Sequence, residues 1–158
     1  MGTNYYFRKK TIDPKRIEAI VDSLNNDFKD LVTKYNEKLH EVFSEMGIDN
    51  LCEFDDYHTF ISPVGHSDYD IHVGKLSCGW KPLMQATEYF HSVETLKQWY
   101  EENKSDYNFI NEYDEVASFE DYIEEIARRN SDDSLKGHEE FHQVTRSDSY
   151  DWTYTQFS

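Results

Sequence analysis

Between Asp13 and Gly47 the chain carries one unbroken apolar stripe. Ile17, Ile20, Val21, Leu24, Phe28, Leu31, Val32, Tyr35, Leu39, Val42, Phe43 and Met46 follow one another in steps of one, three or four. Such steps put side chains on one side of an α-helix and cannot be satisfied by a strand. Asp13 is a good N-cap, Pro14 suits the first helical position, and Gly47 supplies a stop. A helix over 14–46 would be about 50 Å long, more than the diameter of an ordinary domain of this size. Two arrangements are open. Part of the stripe protrudes and forms a coiled-coil contact with a second copy, or the helix bends near Asn25-Asn26 and packs within its own domain.

The second constraint is a hairpin pattern from Tyr69 to Lys81. Tyr69, Ile71 and Val73 alternate with Asp70 and His72, as in a half-buried strand. Gly74 and Gly79 read as brackets of a short polar turn. Trp80 then opens a returning strand that ends near Gln85, with Pro82 placing it at an edge or a bulge. Gly2 to Phe7 is expected to be a further strand. Phe54–Pro63 is a weaker candidate, ending in a turn over Ser62 to Gly65. Ser92 caps a helix over 93–103, with Val93, Leu96, Trp99 and Tyr100 on one face. Residues 104–114 read as a loop. Ser118 caps a third helix, with Phe119, Tyr122, Ile123 and Ile126 inward and Asp121 in a capping-box position. Arg128-Arg129 sit at its end, where the helix dipole favours cations. Residues 150–157 alternate strongly and close the chain as a strand. The expected fold is α+β: a small antiparallel sheet with helices on one side, and the long N-terminal helix inserted into it. Residues 1–158 read as one domain, with 14–46 an insertion and 68–158 the core.

Charge narrows the function. The 158 residues hold 16 Lys and Arg against 32 Asp and Glu, a net charge of −16. Residues 1–50 carry 8 basic and 9 acidic residues, and residues 51–158 carry 8 and 23. Such a surface repels phosphate backbones and attracts basic proteins, including those built to hold nucleic acid. The densest acidic run is 101–125, with Glu101, Glu102, Asp106, Glu112, Asp114, Glu115, Glu120, Asp121, Glu124 and Glu125 against a single Lys. These carboxylates are the candidate partner-binding set, as a track imitating phosphates or as a merely solvated face. Aromatic residues make up 16% of the chain, enough for both a core and a contact surface. No apolar run reaches membrane-spanning length, and residues 1–10 lack the apolar core of a signal peptide. With only Cys52 and Cys78, reduced thiols in a cytosolic protein are expected. A lipidated Gly2 is not.

Three patterns resemble chemical sites. His138-Glu139-Glu140-Phe141-His142 matches H-E-x-x-H, whose two His bind zinc from one helical face. Gly137 weakens a helix there, and a third ligand at a persuasive spacing is missing, so no metal is expected. Gly74-Lys75-Leu76-Ser77 matches the end of a phosphate loop but lacks the earlier Gly and the following helix. Asp70, His72 and Lys75 form a surface patch on the outer face of the hairpin. It contains no nucleophile with an activating base, and no cofactor is implied.

The order of motifs resembles a family of small bacteriophage and prophage proteins. Its members open with Met-Gly-Thr-Asn-Tyr-Tyr, matched here by Met1 to Tyr6. They continue with a His-Ile-Gly-Lys-Ser-Ser-Gly-Gly-Trp-like hairpin, matched by His72 to Trp80. Leu96 to Trp99, Asn111 to Glu115, Arg128-Arg129 and Trp152 to Ser158 match the later motifs. Many members carry a Cys-x-x-Cys pair before the hairpin; here the helix of 14–46 stands instead. The resemblance implies a phage origin and expression in a bacterial cell. It supplies no reaction. The function expected is a non-enzymatic binder that inhibits a host defence protein, such as a CRISPR effector or restriction nuclease, by nucleic-acid mimicry. The alternatives are a protein that binds or cleaves a nucleotide signal at 72–80, and an assembly protein dimerising through 14–46.

Overall fold

Asp13 caps the first helix as its sequence requires. Its carboxylate accepts the backbone N–H groups of Lys15 and Arg16, and Pro14 occupies the first turn. In the computed structural model, which describes residues 2–47, 69–139, 143–146 and 148–157, this helix, α1, runs Pro14–Glu45. It is helical through Asn25-Asn26 and ends with Gly47 at φ +70°, a left-handed conformation natural to glycine. The strand expected at Phe54–Pro63 lies outside the described residues, as does Cys52. The chain divides into two compact units, residues 13–65 and residues 1–12 with 66–158.

The second unit is built on five strands and two helices. The elements are β1 (Gly2–Lys9), β2 (Asp70–Ser77), β3 (Leu83–Gln85), α2 (Val93–Asn103), β4 (Tyr107–Asn111), α3 (Phe119–Asn130) and β5 (Asp151–Thr153). The sheet order is β4-β1-β2-β3-β5. The protein is α+β. The expectation of a wholly antiparallel sheet needs correction: β3 and β5 pair in parallel, because the chain crosses over through α2, β4 and α3 between them. The expected loop at 104–114 contains β4, which pairs antiparallel with β1 from Tyr5↔Asn111 to Lys9↔Tyr107. Asn108 and Asn111 are poor strand formers, so local preference concealed a segment that β1 recruits by pairing.

Phe7, Val73, Leu76, Met84, Phe90, Leu96, Phe109, Phe119, Tyr122, Ile126 and Trp152 make one buried cluster. Both helices of the unit contribute, so they cover the same side of the sheet. Phe7 contacts the rings of Phe90, Trp99, Tyr100, Phe109 and Phe119, with centroids 4.8–6.1 Å away. Each favourable ring pair adds about 1 kcal/mol beyond burial. Trp80 lies outside this cluster. Its ring stacks on His138 at 5.2 Å, under the ammonium of Lys136.

The hairpin departs from its expected form. Gly74 is no turn residue; it lies mid-strand, opposite Tyr5 and Met84. A Cβ there would meet the Leu83 carbonyl oxygen at 2.7 Å and the Tyr122 hydroxyl at 2.8 Å. Only glycine lets β3 and α3 approach so closely. The turn belongs to Gly79, at φ +79°. A register shift between Tyr5 and Tyr6 leaves Val73 as the extra residue of a bulge. After it, Gly74 and Leu76 return to the helical side, while Asp70, His72, Lys75 and Ser77 share the opposite face with Asn4, Tyr6 and Arg8.

Candidate functional site

The Asp70, His72 and Lys75 patch does fall on one face, but the face is engaged. Arg8 grips both oxygens of Asp70, Nε at 2.9 Å from Oδ1 and Nη2 at 2.7 Å from Oδ2. The Tyr69 ring lies 5.2 Å from the same guanidinium, whose Nη1 also reaches Asp114 at 2.7 Å. Asp70 holds Arg8 still more firmly in its charged form. His72 stacks on Tyr6, meets the tilted ring of Phe157 at 4.6 Å, and its Nε2 lies 3.2 Å from the Asn4 side-chain oxygen. Burial pushes Glu112 up, yet its pKa falls on balance. The Asn4 side chain and backbone N–H, then Tyr113 and Lys75, outweigh the desolvation. These groups fasten β1 to β2 and to the segment after β4. They are not poised for acid–base work.

The phosphate-loop pattern dissolves as well, since Gly74 to Ser77 is strand. In the zincin pattern, residues 138–139 are not helical, and His142 lies outside the described residues. His138 is buried. Its backbone N–H donates to Asp151 Oδ2 at 2.9 Å, and its Nε2 lies 2.8 Å from the Lys81 carbonyl. A carbonyl only accepts, so Nε2 carries the proton and is turned away from ligation. Glu139 pairs with Arg146, which also holds Asp151. Among the described residues no group of three or more His, Cys, Asp or Glu is placed to hold a metal ion. None of the described helices is long and apolar enough to cross a membrane.

The acidic run remains. Its scaffold is the pair α2 and α3, joined where Tyr100 stacks on Phe119 at 4.0 Å. Ser92 and Thr95 form a reciprocal capping box on α2, and Ser118 accepts the Asp121 N–H on α3. The ten carboxylates then divide. Glu101 pairs with Lys104, Asp114 with Arg8, and Glu125 with both Arg128 and Arg129. The Arg128 and then Arg129 hydrogen bonds hold the Glu125 carboxyl down to about 2. Glu112 accepts from Asn4, and Glu115 from Asn111. Glu102, Asp106, Glu120, Asp121 and Glu124 are exposed without a cationic partner among the described residues. Glu120 raises the pKa values of both Tyr100 and Lys104, as a secondary cause behind burial and Glu101 respectively. The C-terminal end of α2 therefore meets the N-terminal end of α3 in one negative field. Glu94, outside the run picked out by sequence, adds an exposed charge in the first turn of α2. Its i, i+4 and i+7 spacing to Gln98 and Glu101 is the signal that could have found it.

A separate polar pocket of about 420 Å³ opens beside the hairpin turn. Gly2, Leu76, Cys78, Tyr113, Arg128 and Arg129 are among its lining residues. His72 and Lys75 do not line it. No protein-family model, curated protein or solved structure matches the chain.

Proposed function

We propose that this protein is a non-enzymatic binder, made by a phage, that blocks a basic nucleic-acid-handling protein of its bacterial host, such as a CRISPR effector or restriction nuclease. The observation that carries the reading is the set Glu102, Asp106, Glu120, Asp121 and Glu124, exposed and, among the described residues, without a cationic partner, along α2, the turn after it and α3. Long-range attraction at net charge −16 speeds encounter with a positive groove, and carboxylates take the places of phosphates there. The phage origin rests on the resemblance of residues 1–8 and 68–158. The test is affinity capture from a bacterial lysate at low salt. The expected catch is a nucleic-acid-binding protein released by high salt and by competing DNA. Glu102→Gln, Glu120→Gln, Asp121→Gln and Glu124→Gln together should abolish the capture while thermal stability is kept. Capture that ignores both salt and this variant would overturn the reading.

The pocket favours a second reading, an anionic small molecule such as a nucleotide held by Arg128 and Arg129. It predicts a thermal shift with some member of a nucleotide panel, lost in Arg129→Ala. A flat panel removes it.

A further inference from the structure

Helix α1 shows water what a helix of this kind ordinarily hides. Ile20, Leu24, Leu31 and Tyr35 are 51%, 48%, 62% and 53% exposed. Leu24, Leu31 and Tyr35 fall in register with Ile17, Val21, Phe28 and Val42. The order 17, 21, 24, 28, 31, 35, 38, 42 alternates steps of four and three, interrupted in chemistry only by Lys38. This is the seam of a left-handed coiled coil. A hollow of about 310 Å³ opens on the seam, lined among the described residues by Phe28, Leu31, Tyr35 and the buried Val32. Those four stand at i, i+3, i+4 and i+7. They are the corners of the hole that receives a side chain from a facing helix.

We propose that this hole is filled by α1 of a second copy of the chain, the two helices running antiparallel with Phe28 of each copy opposite Leu31 of the other. Charge selects the direction. In this register Leu24 faces Tyr35, Ile17 faces Val42, and Lys38 faces Val21, where its stem lies on apolar surface and its ammonium reaches water. At the flank, Asp27 of each copy meets Lys34 of the other, which gives two attractive pairs. A parallel pair stacks Lys38 on Lys38 in the seam and sets Asp27 and Lys34 against the apolar Val32 and Leu39. The acidic face on α2 and α3 plays no part in this contact, so either proposal can fail without the other.

Sedimentation and light scattering of the full chain should report twice the mass of one chain. Leu31→Glu should give a monomer with unchanged helical circular dichroism. Asp27→Lys should weaken the dimer roughly fivefold, and adding Lys34→Asp should restore it. Direction is read by crosslinking in a Cys52→Ser, Cys78→Ser background. Leu24→Cys mixed with Tyr35→Cys should form a disulfide-linked pair under mild oxidation, and neither variant alone should do so. A monomeric wild-type chain, a dimer that survives Leu31→Glu, or a disulfide formed by Leu24→Cys alone overturns the proposal.

Discussion

Arg8 and Asp70 form a two-point ion pair between β1 and β2, with side chains 8% and 0% exposed. They are register partners on adjacent strands, so the pair closes the sheet at the point where the 13–65 segment leaves and returns. Removing Arg8 leaves the buried Asp70 carboxylate without its counter-charge, and removing Asp70 leaves the buried Arg8 with Asp114 as its remaining ion-pair partner. Asp70→Asn is expected to cost about 3 kcal/mol in urea denaturation. Arg8→Met combined with Asp70→Leu should cost far less than the two single changes together, because no buried charge is left. Strict additivity of the singles would show that the pair is not coupled.

The two glycines of the hairpin should behave differently. Gly74→Ala drives a methyl into the Leu83 carbonyl and the Tyr122 hydroxyl, and the carbonyl is fixed by sheet pairing. The expected loss is about 2–3 kcal/mol. Gly79→Ala meets open space and suffers only its positive φ, a loss of about 1 kcal/mol. Melting temperatures of the two variants should fall in that order.

Asp148 serves two elements at once. One oxygen accepts the Val93 N–H at the start of α2 at 2.6 Å, and the other accepts the indole N–H of the fully buried Trp152 at 2.8 Å. Asp148→Ala leaves that indole donor without its acceptor and is expected to cost about 2 kcal/mol. Trp152 fluorescence should shift in the variant before global unfolding, which a purely surface role for Asp148 does not predict.

The α3 terminus gives a pH dependence of definite sign. The folded-state pKa of Glu125 is about 2, against an ordinary 4.5, owing to Arg128 and Arg129. A depressed carboxylate stabilises above its unfolded value and loses that contribution as pH falls through the folded one. The Glu125 side chain is 32% exposed, so water screens the pair and the contribution is about 1 kcal/mol. Glu125→Gln should be less stable than wild type by that amount at pH 7. The gap should close between about pH 4.5 and pH 2.

Elements announced by their own ends were readable from sequence. Asp13-Pro14, Ser92 and Ser118 begin the three helices because each cap needs only its nearest neighbours. What depends on distant residues was not. Tyr107 to Asn111 is a strand because β1 offers it an edge, and Gly74 is required by Leu83 and Tyr122. The parallel direction of β5 follows from a crossover of more than sixty residues. The acidic run was visible as composition, but its division was not. Arg8 neutralises Asp114 from the far end of the chain, and Asn4 engages Glu112 across a separation of 108 residues. His138 opens a zincin-like pattern in the sequence, one not expected to hold a metal. Its partners in space, Lys81, Trp80 and Asp151, give it a structural task.

The strand order has a consequence for synthesis. β1 occupies an interior position, yet its partners are residues 70–77 and 107–111. At about 5–20 residues per second, the ribosome keeps Tyr5, Tyr6 and Phe7 waiting for several seconds before either neighbour emerges. Closing so long a loop also slows the search once they do. An interior strand is thus made first and fully paired only once residue 111 has emerged, and the nascent chain exposes an aromatic edge until then. Slowed elongation is expected to raise the aggregated fraction, and co-expressed chaperones to lower it.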